Sequence, residues 1–184
     1  PIIYCMDRSG LVGPDGPTHH GVFDIPMLRM LPNMIVSAPK DGNELRNLLA
    51  TAVDSNKSFS IRYPKGSSRS FDTNANPLIL KIGSWEVLQE GVDIAILATG
   101  SMVGMIEDNF DYIFNSLGFK PTLINARFIK PLDEKMLRNI CKEYKAILTI
   151  EEGCLYGGFG SAVIEYLNQI NQNISVKRLG VPDE

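Results

Sequence analysis

Apolar positions fall in short runs broken by polar turns, and their spacing alternates between strand-like and helix-like along the chain. Residues 2–6, 34–37 and 59–63 are compact and rich in strand-forming side chains, which predicts three buried strands. Between the first two, Asp24 reads as an N-cap with Pro26 just inside a short helix carrying Met27, Leu28 and Leu31, and Pro32 stops it. Asp41 and Glu44 then stand in a D-x-x-E capping relation ahead of a helix through Leu45, Leu48, Leu49, Ala52 and Val53. Strands alternating with helices imply a parallel sheet covered on both faces.

Residues 66–76 are polar and aperiodic, as a surface connection would be. Beyond them the pattern resumes. Residues 79–82, 85–88, 94–98, 146–150 and 174–179, and a segment around Leu123 and Ile124, read as strands. Helices are expected from Ser101 through Ile106, Phe110, Ile113, Phe114 and Leu117, from near Pro131 and Asp133, and over 162–170. The expected fold class is α/β, with two consecutive three-layer αβα units built on mainly parallel sheets: residues 1–66, a linker over 67–77, and residues 78–184.

Composition narrows the function classes. The 184 residues carry a net charge of −3 with no Lys/Arg run, so no nucleic-acid partner is expected. The longest apolar runs, 2–6 and 94–98, are far below the ~20 residues of a membrane helix, so no membrane partner is expected either. Cys5, Cys141 and Cys154 lack paired spacing and a histidine cluster, which argues against a disulfide framework and a zinc site and favours a reducing compartment. With Met27, Met30 and Met34 they are expected in the core. A strand at each end of the chain suggests a piece of something longer.

In open parallel sheets, ligands bind beyond the carboxyl ends of the strands, which singles out loops 7–21, 37–42 and 62–66. The first holds Arg8, Asp15, His19 and His20, and the last holds Arg62 and Lys65. Glycines and prolines between Gly10 and Gly21 let this loop turn tightly and present Asp15 and His19. Arg8 and Lys65 suit a phosphate or carboxylate, and an imidazole titrating near neutrality can pass protons or hydrogen-bond a developing alkoxide. The plainer alternative is that Asp15 caps a turn and both histidines are solvated; Arg62 at a strand end is as often structural. Gly157, Gly158 and Gly160 read as a tight turn rather than a phosphate cradle, and the adjacent Glu151 and Glu152 as turn and interface residues on opposite faces.

The stretch D-R-S-G-L-V-G-P-D-G-P-T-H-H-G-V-F-D over residues 7–24 resembles the signature of the 1-deoxy-D-xylulose-5-phosphate synthases, thiamine-diphosphate enzymes of the transketolase superfamily. R-Y-P-K-G at 62–66, A-R-F-I-K-P-L-D at 126–133, E-E-G at 151–153 and G-G-F-G-S at 157–161 are similar to further motifs of that family. The resemblance implies condensation of pyruvate with D-glyceraldehyde 3-phosphate, with loss of CO2, and a homodimer in a bacterial cytoplasm or plastid. It implies that Arg8 and Lys65 hold the aldehyde's phosphate, with Lys65 standing where the family carries Arg. Asp15 and His19 would hydrogen-bond the substrate's hydroxyl and carbonyl oxygens and assist proton transfer. The family anchors thiamine diphosphate and Mg2+ with a G-D-G motif and a later Asn, and Asp41-Gly42-Asn43 lacks its leading glycine. The chain is therefore expected to need an N-terminal partner segment and to be inactive alone. A split transketolase-like subunit and a non-catalytic dimerisation or regulatory module are the alternatives.

Overall fold

The computed structural model describes residues 1–183. The chain opens with β1 (Ile3–Met6), passes through two 3-10 turns at Gly13–Asp15 and Pro17–His19, and continues as α1 (Asp24–Arg29), β2 (Met34–Ser37), α2 (Gly42–Ser55) and β3 (Ser58–Arg62). After a long connection come β4 (Glu86–Gln89), β5 (Ile94–Ala98), α3 (Ser101–Asp108), α4 (Phe110–Leu117), β6 (Thr122–Asn125) and β7 (Phe128–Lys130). The remainder is α5 (Glu134–Glu143), β8 (Ala146–Cys154), α6 (Phe159–Gln169) and β9 (Ser175–Val181).

Two mainly parallel sheets result, as the alternation of elements predicts. The first has the order β1-β3-β2-β7 and the second β4-β6-β5-β8-β9, with β7 and β4 as antiparallel edges. The crossing of β7 is not visible in local patterning: a strand from the second half of the sequence closes the first sheet, pairing Val36 with Lys130 and Ser37 with Phe128. One apolar core spans both sheets. Phe59 meets Phe128 edge-on, Trp85 meets Phe159 edge-on, and the Trp85 indole donates to the Phe128 carbonyl at 2.8 Å.

Several local expectations give way to long-range partners. Residues 79–82 form no strand, because side chains of α2 take the backbone there: Leu78 N–H donates to Asn47 Oδ1 and Leu80 N–H to Thr51 Oγ1. The helix expected through Leu117 breaks at Asn109, whose side-chain amide donates to the Met105 carbonyl, and Gly100 rather than Ser101 occupies its N-cap. Asp24 caps nothing. It is the first residue of α1 and its carboxylate is drawn inward to Arg62. Asp41 and Asp133 do cap α2 and α5, accepting from the N–H groups of Glu44 and Met136.

The polar stretch read as a linker is pinned rather than loose. Ser68 and Ser70 accept from the N-terminus of α2, and Arg69 donates to the Gly104 carbonyl and Asp108 on α3. Met34 is buried as expected, but Met27 and Met30 are exposed, because the six-residue α1 buries only Asp24 and Ile25. Cys5 is exposed, and Cys141 and Cys154 are half-buried.

Candidate active site

The loop after β1 is closed at its stems by its own backbone. Gly21 N–H donates to the carbonyls of Arg8 and Gly10, both at 3.0 Å, Gly10 N–H donates back to Gly21, and Ser9 N–H reaches the Tyr63 carbonyl beyond β3. A Cβ at Gly21 would collide with the Arg8 carbonyl, so this crossing admits only glycine. Arg8 itself sits at φ +60°, a left-handed conformation costly for an arginine and sustained only where the surroundings fix it.

That backbone brings three of the four expected site residues together. Arg8 Nε donates to Asp15 Oδ2 at 2.8 Å, and Lys65 Nζ donates to both Asp15 oxygens at 2.6 and 2.8 Å. Asp7 holds the other side of the Arg8 fork at 2.6 Å. Hydrogen bonds from Lys65 first and Arg8 second hold the Asp15 carboxyl down at about 2, so it is ionised at every physiological pH. Asp15 in turn raises the Arg8 guanidinium. The cluster is thus a carboxylate shared by two cations, whose two positive charges a dianionic ligand would match.

His19 does not join it. Its exposed ring bonds Thr18 Oγ1 through Nδ1 at 3.2 Å and shares no hydrogen bond with Arg8, Asp15 or Lys65 among the described residues. The neighbouring His20 braces the loop from within, its Nδ1 accepting the Val12 N–H at 2.9 Å. Beside the cluster lies a cavity of about 380 Å³ lined by Asp7, Lys40, Tyr63, Lys65, Arg69 and Ser101, to which all three loops singled out by the sheet-edge rule contribute, together with the connection after Gly66 and the start of α3.

Behind the loop is a buried ionic layer. Arg62, fully buried, donates from Nε to Asp24 at 2.6 Å and from Nη2 to the Gly21 carbonyl at 3.1 Å. Glu152 accepts from the Ser9 hydroxyl at 2.8 Å. Glu151 and Glu152 are strand residues of β8, not turn residues, and alternate across it. Glu151 accepts from the Phe159 and Gly160 N–H groups at 2.7 and 2.8 Å, so the glycine turn before α6 already has its anion within the chain. Elsewhere the buried Glu44 carboxylate accepts from Lys40 N–H, Asn125 and Arg127, and burial raises its pKa. Spacing marked Glu44 only as part of the D-x-x-E cap and gave no sign of its partners in the second half of the chain; for the Arg62 layer the hint was charged residues inside otherwise buried strands.

Parallel sheets with chemistry gathered on the loops at one edge define a class, and two family models cover it. The transketolase pyrimidine binding domain matches residues 1–70 and the transketolase C-terminal domain residues 83–184. The chain belongs to the transketolase family. Among its relatives, proteins named 1-deoxy-D-xylulose-5-phosphate synthase are 47% identical in Syntrophus aciditrophicus (strain SB) and 46% in Aquifex aeolicus (strain VF5), each over the whole of this chain. The chain spans 28% and 29% of their lengths. A solved structure described as a split gene transketolase, inactive beta4 tetramer, superposes with a TM-score of 0.84 at 26% identity over 98% of this chain and 57% of that one. Transketolase from Campylobacter jejuni, at 17% identity and a TM-score of 0.67 over 97% of this chain and 26% of that one, shares the fold.

The residues here do not fit the diphosphate and Mg2+ end of the cofactor that the resemblance implies. Asp41 Oδ1 is taken by the Glu44 N–H, and Asn43 is bonded to Ser70, Asp72 and Arg46. Among the described residues no group of three or more His, Cys, Asp and Glu side chains could hold a metal.

Proposed function

We propose that this chain is the aldehyde-phosphate-binding part of a 1-deoxy-D-xylulose-5-phosphate synthase, which joins pyruvate to D-glyceraldehyde 3-phosphate with loss of CO2. The observation that carries this reading is the cluster in which Lys65, from the loop after β3, joins Arg8 and Asp15 on the loop that bears the family signature. An arriving phosphate dianion takes over the two cations, Arg8 through its fork and Lys65 as a point charge. Asp15 is thereby released as an ionised acceptor for the substrate's hydroxyl, and the exposed ring of His19, bonded to Thr18 through Nδ1, serves the carbonyl oxygen and proton transfer. Lys65 keeps the charge but orients the phosphate less tightly than a guanidinium would.

The thiamine diphosphate and Mg2+ of such an enzyme are assigned to a further segment, consistent with the 28% and 29% of the relatives' lengths that this chain spans. That segment is either continuous with the chain or a separate subunit, the second arrangement being the one named for the solved split gene transketolase. The test combines this chain with the N-terminal segment of a relative, supplies cofactor and Mg2+, and follows pyruvate consumption against D-glyceraldehyde 3-phosphate. Lys65→Ala is expected to raise KM for the aldehyde about tenfold or more, the worth of a charge-assisted contact, with KM for pyruvate unchanged. An unchanged aldehyde KM overturns the assignment, and turnover of other sugar phosphates in place of pyruvate points to a transketolase-like subunit.

A further inference from the structure

We propose that Glu152, carried by β8 of the second sheet, is a positioning residue for the Arg8–Asp15–Lys65 cluster, acting on both stems of the loop that presents it. At the first stem its carboxylate accepts the Ser9 hydroxyl at 2.8 Å, one residue beyond the left-handed Arg8. It also packs against Gly10, itself at φ +77°, so closely that a Cβ there would lie 2.9 Å from that of Glu152. At the second stem it acts through Arg62, whose Nη1 has no hydrogen-bond partner among the described residues and faces Glu152 Oε2 at 4.0 Å. Arg62 spends its other donors on the Gly21 carbonyl and on Asp24, the residues that end the loop.

Glu152, Arg62 and Asp24 have side chains only 11%, 0% and 7% exposed, so the layer is held in one arrangement by the loss its members would suffer if left unpaired. Backbone bonds alone close the loop, but they do not fix the angle at which it leaves the sheet. The carboxylate and guanidinium behind it do. An arginine at φ +60° needs such support, because its relaxed conformations would swing the guanidinium away from Asp15 and Lys65. The second sheet thereby sets the geometry of a site displayed by the first.

The catalytic consequence rests on the reading of the cluster as the aldehyde-phosphate site; the positioning does not. Amide hydrogen exchange on the full chain tests it without substrate. In Glu152→Ala, exchange at Gly10 and Gly21 is expected to quicken about tenfold or more while amides in β5 are unchanged. Ser9→Ala, a small change that spares the ionic layer, is expected to reproduce the effect at Gly10. Glu152→Gln keeps an acceptor for Ser9 and restores that stem, but not the one held through Arg62. Unchanged loop exchange in both alanine variants overturns the proposal, as does quickening spread equally through β5. In the combined enzyme, Glu152→Ala is expected to raise KM for D-glyceraldehyde 3-phosphate more than it lowers kcat. A loosened loop with an unchanged KM upholds the positioning and overturns the substrate reading instead.

Discussion

Replacing Arg62 with methionine would remove the cation from a layer that holds two carboxylates. Methionine fills much of the same volume, so the cost is mainly electrostatic. Asp24 loses its 2.6 Å partner and Glu152 its nearest guanidinium, both at sites almost closed to water. Breaking a buried pair by deleting one partner costs about 3–5 kcal/mol, a large share of the roughly 5–15 kcal/mol that holds a domain folded. At roughly 2–4 °C per kcal/mol for a chain of this size, Tm should fall by roughly 6–20 °C. Pairing the change with Asp24→Leu removes one of the two orphaned charges and should return part of the loss, so the double variant is more stable than the sum of the singles predicts, by roughly 0.5–3 kcal/mol. Chemical and thermal unfolding of the four proteins measures this. A single-variant cost below about 1 kcal/mol, the level of a surface pair, or strict additivity would refute the buried-layer argument.

Two further outcomes follow from the loop. Asp15 should titrate at about 2, and because its folded pKa is lowered, its contribution to stability is present above the ordinary carboxylate range and fades as pH falls toward that value. Side-chain NMR should show the midpoint rising in Lys65→Ala, the larger of its two partners, and less in Arg8→Ala; the reverse order would contradict the geometry. Gly21→Ala forces a methyl group into the Arg8 carbonyl, so a loss of about 1–3 kcal/mol is expected, with faster exchange at Gly10. A neutral result in unfolding experiments would mean that the stems are free to part.

Elements whose determinants are local were legible in the sequence. The strands β2 and β5 follow from their apolar runs, the cap at Asp41 from its D-x-x-E spacing, and the start of α5 from Pro131 and Asp133. Loops at the carboxyl edge of the first sheet were legible too, because that edge follows from the parallel arrangement alone. What escaped depends on partners distant in sequence. Residues 79–82 have strand composition, yet Asn47 and Thr51 take their backbone donors. The carboxylate of Asp24 has the spacing of a cap, but Arg62, 38 residues on, outcompetes the helix N-terminus for it. His19 and Asp15 lie four residues apart in a glycine-rich loop, which suggested a pair; the 3-10 turn between them and the pull of two cations on Asp15 separate their bonds.

The same long-range partners explain why the two halves of the sequence act as one physical unit. β7 completes the first sheet from the second half, and Trp85, just ahead of β4, donates to the backbone of β7. Glu44 on α2 gathers Asn125 at the end of β6 and Arg127 in the β6–β7 connection, while Glu152 on β8 reaches Ser9 and Arg62 in the first half. Apart from the Trp85 bond, these contacts cross between the halves, and those of Glu44 and Glu152 end at elements that carry or back the site: α2 and the loop after β3 line the cavity, and β1 feeds the signature loop. Apolar packing between the sheets sets how close they lie but has no preferred direction. Buried ion pairs and hydrogen bonds are directional and costly to misplace, so they fix the register in which one sheet meets the other. The Arg8–Asp15–Lys65 cluster lies outside the apolar core, with Lys65 exposed and Arg8 and Asp15 half-buried, and has little packing of its own to define it. Its geometry is inherited from that register.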